Sequence, residues 1–233
     1  MNRIFKKETT ELILAGLSLA FLAGYVNVYM LRFFENPVSH LTGAFSMLPI
    51  YASKHDSHHL IGLSLIIPGF FLGAVLSSYI INQNYFVVGK RYGVILILEG
   101  LLLIITEILV VKHLFYALFT AAMSCGMQNA MASLYRGMII RTTHVTGLIT
   151  DFGILIGRLL RGQHIDKWKF QFDFALIFGF LFGGIVCSLL SEMLLKNGLL
   201  FPATICIGAG LIYFLWRTKR MEKTLQKRNL QHH

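Results

Sequence analysis

The sequence predicts an all-α, polytopic membrane helical bundle of about six transmembrane helices, two short broken or re-entrant segments and an inverted two-fold internal repeat. Three observations carry this. First, 55% of the 233 residues are hydrophobic, 14% are charged, 19 are Phe and the mean hydropathy is +0.65. That composition is too apolar for an ordinary soluble domain. Second, six apolar runs are long enough to cross a bilayer. Third, a set of motifs occurs twice in the same order: Gly24-Tyr25-Val26-Asn27 then His40-Leu41-Thr42-Gly43, against Gly126-Met127-Gln128-Asn129 then His144-Val145-Thr146-Gly147. The second copy follows the first by roughly a hundred residues, as an internal duplication requires. A further pair, Gly69/Gly73 with Ser77-Ser78 against Gly179/Gly183 with Cys187-Ser188, keeps the order.

In chain order the long runs are 11–33, 59–81, 92–111, 114–134, 172–195 and 199–216. Two shorter ones, 38–53 and 143–160, follow the first and fourth. No linker rich in Pro, Gly or Ser divides them. Residues 1–216 therefore read as one membrane domain in two halves, 11–111 and 114–216, and 217–233 as a basic cytoplasmic tail. Small residues recur at helical spacing: Gly16, Ala20 and Gly24 in the first run; Ala122, Gly126 and Ala130 in the fourth; and the two GxxxG pairs. In lipid such faces let helices approach closely, so these are packing seams. Each of Cys125, Cys187 and Cys206 stands alone inside an apolar run, as a small packing residue.

The short segments decide the topology. If they do not cross, only Arg32, Lys54, Lys112 and Lys196 of the 21 Lys and Arg lie outside. Eight crossings give a weaker inside bias, so six are preferred, with both termini in the cytoplasm of an inner-membrane protein. Three crossings per half is odd, so the halves insert with opposite orientation. The formal net charge of +10 sits in loops and tails, as the positive-inside bias demands. No nucleic-acid partner is implied. The partners are the lipid bilayer and a small solute, and a homo-oligomer is compatible with the sequence. The start carries no cleavable signal, because its apolar run is too long for one.

At Ala23–Asn27, Gly126–Ala130 and the run Arg141-Thr142-Thr143-His144-Val145-Thr146-Gly147-Leu148-Ile149-Thr150-Asp151, the sequence resembles the YoaK-like family of bacterial inner-membrane proteins, which are uncharacterised in activity. The resemblance covers residues 11–216 and implies a polytopic protein of about six helices. Two positions depart from the expected pattern. Asn27 stands where an acidic residue is expected, and Ala44 where Asn is expected. Both departures shift the search for ionisable groups towards the second half.

An ionisable group at the bilayer centre costs on the order of 3 kcal/mol, so it is paired or functional. Asp151 follows His144 and Gly147 at helical spacing, and all three follow a polar helix start suited to an anionic group. The candidate site comprises Thr143, His144, Thr146, Gly147 and Asp151, facing Gln128 and Asn129. Asn27, His40, Thr42 and Gly43 form its counterpart in the first half. The alternative is that Asp151 merely pairs with Arg141 or Arg158. Glu99 lies inside the third long run, where a proton-carrying role is open; Glu107 lies near its end and reads as interfacial. His55, Asp56, His58 and His59 read as a solvated loop. No metal site, cofactor site, Walker loop, GxSxG elbow or HExxH motif is present.

The leading expectation is transport or permeation of a small polar or ionic solute across the cytoplasmic membrane. One alternative is a membrane enzyme acting on a lipid-like substrate, although no nucleophile stands out. Another is a structural or regulatory membrane protein. A wet vestibule reaching both short segments favours transport, a one-sided cavity open to lipid favours the enzyme, and dry packing favours the structural role.

Overall fold

In the computed structural model, residues 2–81, 89–131, 141–193 and 197–231 are described, with 2–8, 191–193 and 220–231 as backbone alone. They form eight helices and no strand among the described residues: α1 (Asn2–Phe34), α2 (Leu41–Ser53), α3 (Ser57–Ile81), α4 (Arg91–Val111), α5 (Tyr116–Met131), α6 (Val145–Leu160), α7 (Lys167–Met193) and α8 (Leu200–Gln231). Five of them contain stretches long and apolar enough to cross a membrane: Thr9–Phe34, Ser57–Ile81, Arg91–Val111, Lys167–Leu190 and Leu200–Lys219. The expected sixth, 114–134, corresponds to α5, and its last residues lie outside those described. Two boundaries differ from expectation. α7 starts at Lys167, because Trp168 and Phe170 extend its apolar face past two lysines. α8 runs on to Gln231, so the described part of the basic tail continues a helix.

Hydrophobic transfer supplies little force between helices in lipid, so close backbone approach decides which helices pair. Glycines mark those approaches. On α1 and α7 a Cβ added to Gly24 would strike the carbonyl of Phe180, and one on Gly183 would strike that of Phe21. On α3 and α5 the same reciprocity links Gly73 with Met123 and Gly126 with Phe70. A third pair, α4 and α8, meets at Gly93 and Gly210, each facing the other's carbonyl. The order of contacts gives direction. Gly16 faces Phe172 and Leu176, Gly24 faces Phe180, and Val28 faces Gly184, so α1 and α7 run parallel. Gly62, Gly69 and Gly73 meet Leu118, Phe119 and Met123 in turn, so α3 and α5 are parallel too. Gly93 meets Phe214 whereas Gly100 meets Ala203 and Ile207, so α4 and α8 are antiparallel.

The pairing pattern of one half recurs in the other. α1 packs on α7 as α5 packs on α3, and α2 lies on α3 as α6 lies on α7. Two pairings do not recur: α4 packs closely on α5 and also touches α3, while α8 touches α1 only lightly and makes no comparable contact with α7.

The first short segment does not continue outward from α1. Asn27 Oδ1 accepts hydrogen bonds from the backbone N–H groups of Val38 (3.0 Å) and Ser39 (3.1 Å). The chain after Phe34 thus turns back along α1 by seven residues, about 10 Å at the helical rise. α2 then returns it to the turn before α3. Non-helical backbone at that depth is tolerated because Val38 and Ser39 are buried in protein, at 0% and 1% exposed.

Candidate functional site

The sequence-predicted residues separate into a buried and an exposed set. Asn27, Gln128 and Thr143 are buried, and Asn129 and Gly43 are half-buried. His40, Thr42, His144, Thr146 and Asp151 are exposed. The physical reason lies in α6. Its buried side chains are Leu148 and Leu155, which turn the Thr146, Thr150 and Asp151 positions outward.

Around the start of α6, Arg141, His144, Gly147 and Asp151 line an open pocket of about 180 Å³ with Leu148. The His144 ring folds back over Gly147, where a Cβ would collide with it. The His40 ring lies over Gly43 in the same way, 3.6 Å from where a Cβ would stand. Each half therefore carries a histidine over the first-turn glycine of its short helix. Asp151 also lies close enough to Asp173 of α7 for their charges to interact.

A larger space lies elsewhere, and none of the buried set lines it. A cavity of about 280 Å³ lies between α1, α4 and α8, lined by Leu12, Ser18, Leu22, Ile205, Cys206 and Tyr213 among others, and Thr142 reaches it from beside α6. It occupies the gap where α8 stands off α1. Its walls are almost wholly apolar, against the expectation of a wet vestibule. Two of its lining residues carry a buried polar atom without a hydrogen-bond partner, Thr142 Oγ1 and Tyr213 Oη, and Glu99 Oε2 and Asn129 Oδ1 are unpartnered outside its lining. Glu99 is 2% exposed and lies near Cys125 of α5 and Cys206 of α8. Gln128 donates from Nε2 to the Leu19 carbonyl of α1 at 2.5 Å, bridging the two halves.

The family described as "Protein of unknown function (DUF1275)" matches residues 15–212. The chain belongs to the DUF1275 family. No curated protein and no solved structure matches it. The match takes in the paired glycines, both short segments and, apart from Leu12 and Tyr213, the cavity lining of this DUF1275 chain.

Two of its features escaped the sequence reading. Glu107, expected near the membrane interface, is buried in protein at 3% exposed. Its Oε1 accepts from the Tyr29 hydroxyl (3.0 Å) and the Asn197 N–H (2.7 Å), and its Oε2 accepts from the Leu199 N–H (2.9 Å). It thereby satisfies free donors ahead of α8, at the positive end of that helix. The Tyr25 hydroxyl completes the joint by donating to the Gly198 carbonyl at 3.0 Å. The only signal in sequence was an acidic residue in an apolar run, and its partner lies 90 residues away.

The loop before α3 is the second. Asp56 Oδ2 lies 2.8 Å from His59 Nδ1, and Oδ1 accepts the His59 N–H at 3.3 Å, which together hold the Asp56 carboxyl below its usual range. His59 stacks on Tyr51 and approaches Glu35 at 3.6 Å, so it joins α2 to α3. Among the described residues no three His, Cys, Asp or Glu side chains gather to hold a metal.

Proposed function

We propose that this chain moves a small solute across the cytoplasmic membrane by alternating access, with both termini in the cytoplasm. One observation carries the reading: the two halves pair alike through their paired glycines and short helices, but α4 closes on α5 while α8 stands off α1. The closed side is fastened by Thr106 and Thr120, whose Oγ1 atoms are 2.8 Å apart. Ser18, the counterpart of Thr120 in the paired-glycine register, lines the cavity on the open side. When two inverted halves take different conformations, exchanging them closes one entrance and opens the other. The helix directions support inversion. Parallel repeats would make α4 and α8 run the same way, and they run oppositely.

Glu99 is suited to couple that exchange to a proton, since its carboxylate lies among α4, α5 and α8 with one oxygen unpartnered. The apolar walls limit the solute to one with an apolar body and a polar or ionic end. Within the family, the Arg141–Asp151 run supports placing the chain with the YoaK-like proteins.

The test uses single cysteines in a background without the native three. Ser18→Cys is expected to react with a membrane-impermeant maleimide from the N-terminal side of α1. Thr120→Cys is expected to react from the other side, faster once Thr106→Val removes the fastening bond. In proteoliposomes, Glu99→Gln is expected to abolish any proton flux that accompanies solute entry. Complete protection of Thr120→Cys from the far side, with and without Thr106→Val, would remove alternating access.

A further inference from the structure

Beside one end of the cavity between α1, α4 and α8 lie buried polar groups that the transport cycle does not require. Its apolar walls run from Leu22 and Ile205 to Leu12 and Tyr213, along roughly ten residues of α1 or about 15 Å. At the Tyr213 end two buried donor atoms have no partner: Tyr213 Oη and Arg217 Nε. Four residues apart, they share one face of α8. A buried donor without an acceptor is costly, and more so on a cation, so the arrangement is suited to an anion arriving from the cavity.

We propose that this cavity binds a single-chain anionic amphiphile. The alkyl chain fills the apolar space, and the anionic head accepts hydrogen bonds from the Tyr213 hydroxyl and the Arg217 guanidinium. About 280 Å³ gives room for one chain, which argues against a two-chain phospholipid. That the amphiphile is also the transported solute rests on the transport reading above; its binding does not.

The experiment titrates the full chain, in nanodiscs of zwitterionic phosphatidylcholine, with sodium decanoate and separately with decan-1-ol. Trp216 reports binding in a Trp168→Phe background, because its ring lies 6.1 Å from that of Tyr213. Decanoate is expected to saturate with at least tenfold higher affinity than decanol. Arg217→Gln and Tyr213→Phe, which keep the packing, should reduce that advantage towards parity and leave decanol unchanged. Ala15→Phe, filling the cavity, should remove both.

Equal affinity for the two probes, or an advantage that survives Arg217→Gln, would overturn the head-group assignment. Binding unaffected by Ala15→Phe would overturn the cavity, and displacement of decanoate by phosphatidylglycerol would overturn the single-chain commitment. Decanoate binding in a protein that shows no flux leaves this site standing and removes the transport reading. Flux without decanoate binding does the reverse.

Discussion

Glu107 shows how much one side chain can do when a bundle lacks water. Its two carboxylate oxygens accept one hydroxyl and two backbone donors from segments far apart in the chain. Hydrogen bonds to a charged acceptor are worth about 1.5–3 kcal/mol each, and orphaned donors carry a penalty of their own. Glu107→Ala should therefore destabilise the protein by about 3 kcal/mol or more, read as a lower thermal midpoint in detergent. Glu107→Gln should fall between the two, because its NH₂ group faces a donor. An alanine variant as stable as the parent would show that the contacts are not formed. Glu107 was illegible in sequence because its role depends on where α8 begins in space. Glu99 was legible, since a carboxyl deep in an apolar run is conspicuous anywhere. Asp151 was half legible: its spacing from His144 and Gly147 says that they share a face, and the structure shows that face open beside Arg141.

At the level of elements, glycine spacing carried more than hydropathy did. Gly24, Gly73, Gly126 and Gly183 stood out as small-residue seams, and the structure places each against a carbonyl of another helix. The sequence could not say which seam meets which, because GxxxG is a licence for close approach and not an address. A methyl at such a seam has nowhere to go except by parting the helices, which costs typically 1–3 kcal/mol. Gly126→Ala and Gly183→Ala should each lower stability by at least that much. Gly153 and Gly157 of α6 have open space where a Cβ would stand. There the Ala substitutions should be neutral, or stabilising by up to about 1 kcal/mol through helix propensity. Thermal unfolding of the four variants side by side decides the matter: an equal response would mean that the seams are not tight. The turn of the chain back to Asn27 was half legible. Its short apolar run and polar start gave the break, while the bonds to Val38 and Ser39 needed the fold.

For the whole molecule, helix direction supports the proposed inversion of the halves. If α2 dips and returns, α1 and α3 cross in opposite senses and α4 crosses in the sense of α1. α5 then crosses in the sense of α3, so α3 and α5 are parallel; α7 crosses in the sense of α1, so they too are parallel. α8 must oppose α4. Glycine contacts give all three relations. If both short helices crossed, α4 and α8 would point the same way, and Gly93 could not meet Phe214 while Gly100 meets Ala203. The charge pattern alone preferred the same answer by a narrow margin, since the two schemes move few Lys and Arg between sides. This gives a labelling prediction that needs no knowledge of the solute. Lys54, in the turn between α2 and α3, and Lys90, just before α4, are both exposed and outside the apolar stretches. In a cysteine-free background, Lys54→Cys should react with an impermeant maleimide from outside intact cells, and Lys90→Cys only after the cells are opened. The reversed pattern would make the short helices true crossings and the halves parallel, and would leave the antiparallel contact of α4 with α8 impossible.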